Sequence, residues 1–190
     1  QTMKNEICKT RRNLLKSSMA LALAGLSSRP ALAAFKPQDA KETIVRELAF
    51  YNLHTGENLK AEYWSEGGYI PDALAGIDHI LRDFRTDEVL PIDPQLLDLL
   101  HNLRSTLGTN QPFQIISGYR SPTTNANLAA NSGGVAKRSL HMQGKAIDIR
   151  IEGTPLKHLR EAAIALQGGG VGYYPGSNFV HMDVGRIRTW

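Results

Sequence analysis

Two short segments in the C-terminal half of the chain alternate between apolar and polar residues. In the first, residues 146–151, three isoleucines share one side and Asp148 lies on the other. In the second, residues 178–184, the aliphatic side chains and Met182 share one side and His181 lies opposite them. Because side chains alternate across a strand, both segments are predicted strands with one buried face. If the two strands lie together, Asp148 and His181 point into one cleft.

A further histidine precedes the first of these strands. His141 lies in a loop that ends at Gly144, and a glycine there allows the sharp turn that would bring His141 back over Asp148. Two histidines and a carboxylate can hold one zinc ion and leave a fourth position open, which is typical of a hydrolytic site. The alternative is that each residue has only a structural role. The pattern favours one zinc ion per chain, bound by His141, Asp148 and His181.

The first 33 residues are predicted to be a cleaved targeting signal. The pair Arg11-Arg12 fits a twin-arginine motif, a short apolar run follows it, and residues 31–33 read Ala-Leu-Ala, as at a cleavage site. The apolar run is too short to span a bilayer as a mature helix. We therefore expect export to the periplasm by the twin-arginine pathway, with residues 34–44 as a polar leader and residues 45–190 as one domain that has no membrane span.

Removal of the predicted signal also removes the excess of positive charge. The 190-residue chain has a formal net charge of +4, but residues 1–33 hold six basic residues and one acidic residue. The remaining 16 basic and 17 acidic residues leave a charge of about −1, which gives no support for nucleic-acid binding. The single cysteine, Cys8, lies in the signal, so the mature domain has neither a disulfide nor a thiol nucleophile.

The order of predicted elements favours an α+β fold, with a small antiparallel sheet and helices packed against it. Turn residues at 54–57 separate the first two strands, which predicts a β-hairpin. Apolar residues at helical spacing, with proline near the start of each segment, predict the helices. Strands are predicted at 45–53, 58–64, 113–117, 146–151 and 178–184, and helices at 71–84, 94–107, 122–131 and 155–166.

The pattern S-x-H-x-x-G-x-A-x-D at 139–148, followed by a histidine on a strand, resembles the D-Ala-D-Ala metallopeptidases. Their superfamily also contains lysostaphin and the hedgehog zinc domain. Residues 116–122, Ile-Ser-Gly-Tyr-Arg-Ser-Pro, resemble the arginine turn of this family. One branch, the MepK-type murein L,D-endopeptidases of Gram-negative bacteria, is similar over roughly residues 46–190. The segments that carry the similarity to this branch are 52–57, 169–175, 178–181 and Trp190.

The resemblance implies a hedgehog or D-Ala-D-Ala peptidase-like fold and a zinc peptidase that acts on peptidoglycan stem peptides. The expected bond is the L,D bond of 3-3 cross-links between two meso-diaminopimelate residues. Arg120 occupies the position of the family's arginine, where its planar fork suits a substrate carboxylate or a developing oxyanion. We expect a monomer. The alternatives are a D,D-endopeptidase or D,D-carboxypeptidase, because the metal motif does not specify the bond, and a zinc-containing murein-binding module without catalysis.

The general base is where this sequence departs from the family. Relatives usually have Glu or Asp three residues before the last ligand, or His two residues before it, but this chain has Asn178 and Phe179 there. Asp183 shares the strand face of His181, so it is a candidate base or a partner that orients a ligand. This departure favours the binding-module alternative. Two further histidines are candidate bases that sequence spacing cannot place: His54 and His101.

Overall fold

In a computed structural model of the protein, residues 44–131 and 135–190 are described. The predicted signal and almost all of the predicted leader lie outside these residues. The strands are β1 (Val45–Asn52), β2 (Asn58–Ser65), β3 (Gly68–Tyr69), β4 (Phe113–Ser117), β5 (Ala146–Ile151), β6 (Gly170–Tyr174), β7 (Phe179–Asp183) and β8 (Arg188–Thr189). They form one eight-stranded sheet in the order β3-β2-β1-β4-β5-β7-β6-β8.

Four α-helices accompany the sheet in the described part of the chain: α1 (Pro71–Ile80), α2 (Pro94–Leu107), α3 (Pro122–Asn131) and α4 (Leu156–Ala165). Short 3-10 helices lie at Leu140–Gln143 and Pro175–Ser177. Helix α2 begins as predicted, because the Asp93 side chain accepts a hydrogen bond from the Gln95 N–H and Pro94 takes the first helical position. It ends at Gly108, which adopts a left-handed conformation.

The α+β class is confirmed, but the prediction of a small, antiparallel sheet is wrong. Strand β1 pairs with β4 in parallel, and β6 pairs with β8 in parallel. The first parallel pair is possible because the long connection through α1 and α2 returns the chain to the same end of the sheet. Strand β6 was not predicted because it begins in a glycine-rich stretch, and the two residues of β8 are too few to show alternation.

Helix α1 also ends earlier than predicted, at Ile80 instead of Phe84. The Asp83 carboxylate accepts a hydrogen bond from the Arg85 N–H at 3.0 Å, which holds the following residues in a turn. A side chain that bonds to nearby backbone in this way competes with the helix. Phe84, predicted to lie on the apolar helical face, instead stacks on His54 with 3.8 Å between the ring centres.

The hydrophobic core lies against the apolar side of the central strands. Ile147 and Ile149 of β5 and Val180 and Met182 of β7 are fully buried there, and helices α2 and α4 contribute leucine side chains to the same core. Burial of these side chains fixes the register of both strands, since a shift by one residue would turn them towards the opposite face. None of the described helices is both long and apolar enough to cross a membrane.

Candidate metal centre

Strands β5 and β7 bring Asp148 and His181 together. The strands pair in antiparallel register with Asp148 directly opposite His181, as the alternation of the sequence predicted. The His181 Nδ1 atom lies 2.8 Å from the Asp148 Oδ1 atom. The two side chains share a face because their neighbours Ile147, Ile149, Val180 and Met182 occupy the core on the other face.

His141 reaches this pair from the 3-10 helix that precedes β5. The Ser139 side chain caps that helix by accepting a hydrogen bond from the His141 N–H. Gly144 ends the helix with φ of +65°, and a Cβ at this position would clash with the Pro91 carbonyl oxygen. This turn needs glycine for both reasons. It leaves the His141 Nε2 atom 3.3 Å from Asp148 Oδ1, so the predicted position of His141 over Asp148 is found.

Hydrogen bonds on the far side of each imidazole fix which nitrogen faces the cleft. The His141 Nδ1–H donates to the Gly118 carbonyl oxygen at 2.7 Å, which turns Nε2 towards Asp148. The His181 Nε2–H donates to Asp183 Oδ2 at 3.0 Å, which turns Nδ1 towards Asp148. Such outer hydrogen bonds orient histidine ligands in metal sites and raise their basicity.

Two of the three separations between the inward-facing atoms fit a metal ion with four tetrahedral ligands, and the third, between His181 Nδ1 and Asp148 Oδ1, is shorter at 2.8 Å. Zinc bonds of about 2.0–2.1 Å at tetrahedral angles place ligand atoms roughly 3.3 Å apart. The His141 Nε2 atom lies 3.2 Å from His181 Nδ1 and 3.3 Å from Asp148 Oδ1. His141, Asp148 and His181 form the one group of three such side chains in the described residues whose ligand atoms come this close together. Two nitrogens and one carboxylate oxygen are a donor set that suits zinc.

The electrostatics of the group favour an ionised carboxylate between two imidazoles. Burial alone would raise the pKa of Asp148, but the charge and hydrogen bonds of His141 and His181 outweigh it and hold that pKa well below its usual value. Burial likewise opposes protonation of His181, yet its bonds to Asp148 and Asp183 raise its pKa to about 9. The negative charge of the two carboxylates therefore attracts positive charge to this position, whether that charge is a proton or a metal ion.

Arg120 lies beside the group on the turn that follows β4. Its side chain is 11% exposed, and one Nη2 hydrogen bond reaches Ser117 Oγ at 3.2 Å. The same Nη2 atom lies 3.7 Å from Asp148 Oδ2. The Nε–H is buried and has no hydrogen-bond partner among the described residues. Arg120 also lines the cleft, where a ligand oxygen can accept a hydrogen bond from its guanidinium group.

The turn that carries Arg120 is held from three sides by backbone hydrogen bonds. The Tyr119 N–H donates to the Leu81 carbonyl at 2.7 Å, and the Arg120 N–H donates to the His141 carbonyl at 3.2 Å. The Ser121 N–H donates to Asp83 Oδ2 at 2.9 Å. Sequence reasoning missed Asp83, which is almost fully buried, because only the fold brings it next to this turn.

Asp183 has no accepting capacity left for a substrate proton. It is fully buried, and its Oδ1 accepts from the N–H groups of Gly170 and Gly185 and from Arg188. Its Oδ2 accepts from Arg188 and His181. Burial raises the pKa of this carboxyl, but these donors outweigh burial and hold the pKa well below its usual value. The arrangement suits a residue that orients His181 better than a base that takes a proton.

One cleft of about 210 Å³ is lined by the three proposed ligands, Arg120 and Asp183. Its remaining wall includes three aromatic rings whose contribution sequence reasoning missed: Tyr174, Phe179 and Trp190. Tyr174 could have been identified from the sequence, because it lies in residues 169–175, one of the segments that resemble the family. The cleft also has a cationic rim at Arg138.

The other candidate bases lie elsewhere. The His54 Nε2 atom hydrogen-bonds the Ile116 carbonyl at 2.9 Å, and its ring stacks on Phe84. His101 lines a separate surface groove with Glu47. Asn178 is exposed, adopts a left-handed conformation and lies outside the lining of the cleft.

Comparison with known proteins gives one family. A family model described as peptidoglycan L,D-endopeptidase MepK matches residues 39–190. The peptidoglycan L,D-endopeptidase MepK of Escherichia coli K12 is 48% identical over 174 residues, which cover 90% of this chain and 94% of that protein. The protein of the same name from Shigella flexneri matches to the same extent. The probable peptidoglycan L,D-endopeptidase MepK of Haemophilus influenzae is 47% identical over 146 residues, covering 76% of this chain and 78% of that protein. The chain therefore belongs to the peptidoglycan L,D-endopeptidase MepK family.

Proposed function

We propose that this chain is a zinc-dependent peptidoglycan endopeptidase that hydrolyses L,D peptide bonds, with 3-3 cross-links between meso-diaminopimelate residues as its substrate. The observation that carries the proposal is the convergence of His141, Asp148 and His181 in a cleft beside the partly unpaired Arg120. Family membership supports the choice of bond, because the curated relatives are named as L,D-endopeptidases.

His141, Asp148 and His181 would hold one zinc ion through Nε2, Oδ1 and Nδ1. The chemistry that zinc supplies when bound is Lewis acidity, which polarises a carbonyl group and lowers the pKa of water. The protein's part is to keep each ligand atom aimed inward. Gly118 and Asp183 do so by accepting the outward N–H of the two imidazoles.

Arg120 would bind the substrate. It lines the cleft, and both the oxygen of a peptide bond and a stem-peptide carboxylate can accept hydrogen bonds from its guanidinium group. Negative charge that develops on the peptide oxygen during hydrolysis strengthens such a bond, and a buried donor stabilises that charge more than a solvated one. Burial lowers the pKa of Arg120, although the charge of Asp148 opposes this effect.

Asp183 fits the role of an orienting residue better than that of a general base. Among the described residues that line the cleft, the carboxylates are Asp148, which is a proposed metal ligand, and Asp183, which already accepts hydrogen bonds from His181, Arg188 and two backbone N–H groups. His54 and His101 lie outside this cleft. The competing hypothesis of a murein-binding module draws its support from this lack of an uncommitted base.

Purified mature protein, loaded with zinc and mixed with defined 3-3 and 4-3 cross-linked muropeptide dimers, tests the proposal. We expect cleavage of the 3-3 dimer and little cleavage of the 4-3 dimer. Preferred cleavage of the 4-3 dimer would favour a D,D-endopeptidase. Binding of both dimers without cleavage would support the binding module. His141→Ala protein serves as the control for contaminating hydrolases.

We also propose that residues 1–33 direct export by the twin-arginine pathway, because a peptidoglycan hydrolase needs access to the periplasm. The conservative change of Arg11 and Arg12 to Lys should leave precursor in the cytoplasm, as measured by fractionation and immunoblotting. Normal amounts of mature periplasmic protein in a strain without twin-arginine transport would contradict this route. We expect one chain to be active as a monomer, since a single copy supplies all three proposed ligands and Arg120.

A further inference from the structure

The hydroxyl group of Tyr174 accepts a hydrogen bond but donates none within the described residues. The Trp190 indole Nε1–H donates a hydrogen bond to the Tyr174 oxygen at 2.7 Å. An indole N–H can only donate, so the phenol must be the acceptor in this pair. The Tyr174 O–H proton then has no acceptor within the parts of the chain that the structure describes. It is free to be donated to a ligand in the cleft that Tyr174 lines.

The pairing of β6 with β7 places this hydroxyl on the same side of the sheet as the proposed ligands. Gly172 lies opposite His181, and Tyr174 lies opposite Phe179. Residues that face each other across a strand pair project on the same side. The Tyr174 ring stacks on Phe179 with 4.6 Å between ring centres, and the Trp190 ring lies 5.3 Å from His181. Tyr174 therefore projects into the cleft from the His181 side.

Gly172 makes room for Trp190 at this position. A Cβ on Gly172 would lie 2.6 Å from the Trp190 Cε2 atom, which is too close for two carbon atoms. The backbone also holds Trp190 on β6, because the Tyr173 N–H donates to the Trp190 carbonyl at 3.0 Å and the Trp190 N–H donates to the Val171 carbonyl at 3.2 Å. The indole is thus fixed beside His181 with its N–H aimed at the phenol.

We propose that Tyr174 is a further catalytic residue of the cleft, whose hydroxyl donates a hydrogen bond to the oxygen of the peptide bond under attack while Trp190 holds it in place. The inference rests on the proposed hydrolysis of stem peptides. Tyr174 acts alongside Arg120 as a second donor to the same developing charge. Because the indole N–H polarises the phenol, the bond that Tyr174 donates is stronger than that of an isolated tyrosine.

Tyr174→Phe removes this donor and keeps the ring that stacks on Phe179. On the 3-3 cross-linked dimer we expect kcat to fall by about 10²-fold, in the range found when one oxyanion donor is lost, with a small change in KM. Zinc content per chain, measured by elemental analysis, should stay at the wild-type value. Tyr173→Phe is the matched control, since Tyr173 is the adjacent residue on β6, projects to the opposite side and contacts Arg160.

The positioning role of Trp190 is tested by a double-mutant cycle. Trp190→Phe should lower kcat in the wild-type background but cause no further loss in the Tyr174→Phe background, because it acts through the hydroxyl. Gly172→Ala should reproduce the effect of Trp190→Phe by displacing the indole. Gly176→Ala is the control, because a Cβ there meets nothing within 4 Å.

Fluorescence gives a readout that does not depend on turnover. The chain has two tryptophans, so Trp64→Phe leaves Trp190 as the only one. In that background we expect Tyr174→Phe to shift the emission of Trp190, since its N–H loses its partner. An unchanged spectrum would overturn the positioning role of Trp190, and so would additive losses in the cycle. Wild-type kcat in Tyr174→Phe, in a preparation whose parent cleaves the dimer, would overturn the role of Tyr174 alone. An inactive parent would instead overturn the proposed function.

Discussion

At the scale of single residues, Asp183 shows how a carboxylate near a proposed metal site can be unsuited to acid-base chemistry. A general base needs a free lone pair within reach of the proton it accepts. The oxygens of Asp183 accept hydrogen bonds from two backbone N–H groups, Arg188 and His181, and none of its surface is exposed. Its bond to His181 fixes the imidazole tautomer that presents Nδ1 to the other proposed ligands.

Asp183→Asn should therefore weaken metal binding. The amide NH₂ can face His181 Nε2, which would favour the tautomer with its proton on Nδ1 and so remove a proposed ligand. We expect zinc affinity to fall by roughly 10–100-fold, as is usual when such an outer partner is lost. Chelator competition measures the affinity. Asp72→Asn, an exposed change in the first turn of α1, is the control. Unchanged affinity together with a loss of turnover would restore Asp183 as the base.

Arg120→Lys tests the proposed role of Arg120 in binding the substrate oxygen. Lysine keeps the charge but loses the Nε–H donor and the planar fork. We expect kcat to fall by about 10²–10³-fold on the 3-3 dimer, with zinc content unchanged, because the lost bond forms chiefly in the transition state. Arg150→Lys is the matched control, since Arg150 is half-buried on β5 and donates to Gln114 away from the cleft. If Arg120→Lys were as active as Arg150→Lys, Arg120 would have no role in the reaction.

At the scale of elements, the buried Asp83 joins the end of α1 to the turn that carries Arg120. One oxygen accepts the Arg85 N–H and the other accepts the Ser121 N–H. Burial raises the pKa of Asp83, but hydrogen bonds from Thr124 and from these two backbone groups outweigh burial and lower it. The carboxylate form is therefore part of what holds this turn in place.

Asp83→Asn should destabilise the fold by about 1–3 kcal/mol at neutral pH, because an amide NH₂ would face a buried N–H donor. A group whose folded pKa is depressed contributes stability above its unfolded pKa of about 3.9 and loses it as pH falls through the folded pKa. The difference from wild type should thus stay constant from about pH 7 to about pH 5 and shrink as the pH falls below about 4. Urea unfolding with a chelator present measures it, and the exposed Asp87→Asn is the control. A difference that stays constant with pH would contradict the role of the carboxylate.

The elements that sequence patterns predicted correctly are those with a local physical signal. Strands β5 and β7 have a strict alternation, and α2 has Asp93, Pro94 and Gly108 at its ends. The proximity of His141, Asp148 and His181 followed from these patterns and the turn at Gly144. Structural features that depend on residues far apart in the sequence could not be predicted from local patterns. The early end of α1 depends in part on Asp83 binding to Ser121, and the parallel pairing of β6 with the two-residue β8 depends on the completed sheet.

At the scale of the whole molecule, the proposed metal ligands lie outside the hydrophobic core. The core is built by apolar residues from the central strands and from helices α1, α2 and α4, whereas Asp148 and His181 project from the opposite face of β5 and β7. The metal-free chain should therefore remain folded. It should still be less stable than the metal-bound chain, because a ligand that binds only the folded state stabilises it by mass action.

Metal removal tests this division between core and site. With zinc at about 1,000 times its Kd, binding adds about 4 kcal/mol to the free energy of unfolding. Chelation should therefore lower the Tm of wild-type protein by several degrees while far-UV circular dichroism stays native-like.

His141→Ala should start from a lower Tm, since it removes a side chain that is 3% exposed, and should respond to neither chelator nor added zinc. His158→Ala, an exposed change on α4, should respond as wild type does. A zinc-dependent Tm in His141→Ala would show that the ion binds elsewhere, and loss of circular dichroism on chelation would show that the core depends on the metal.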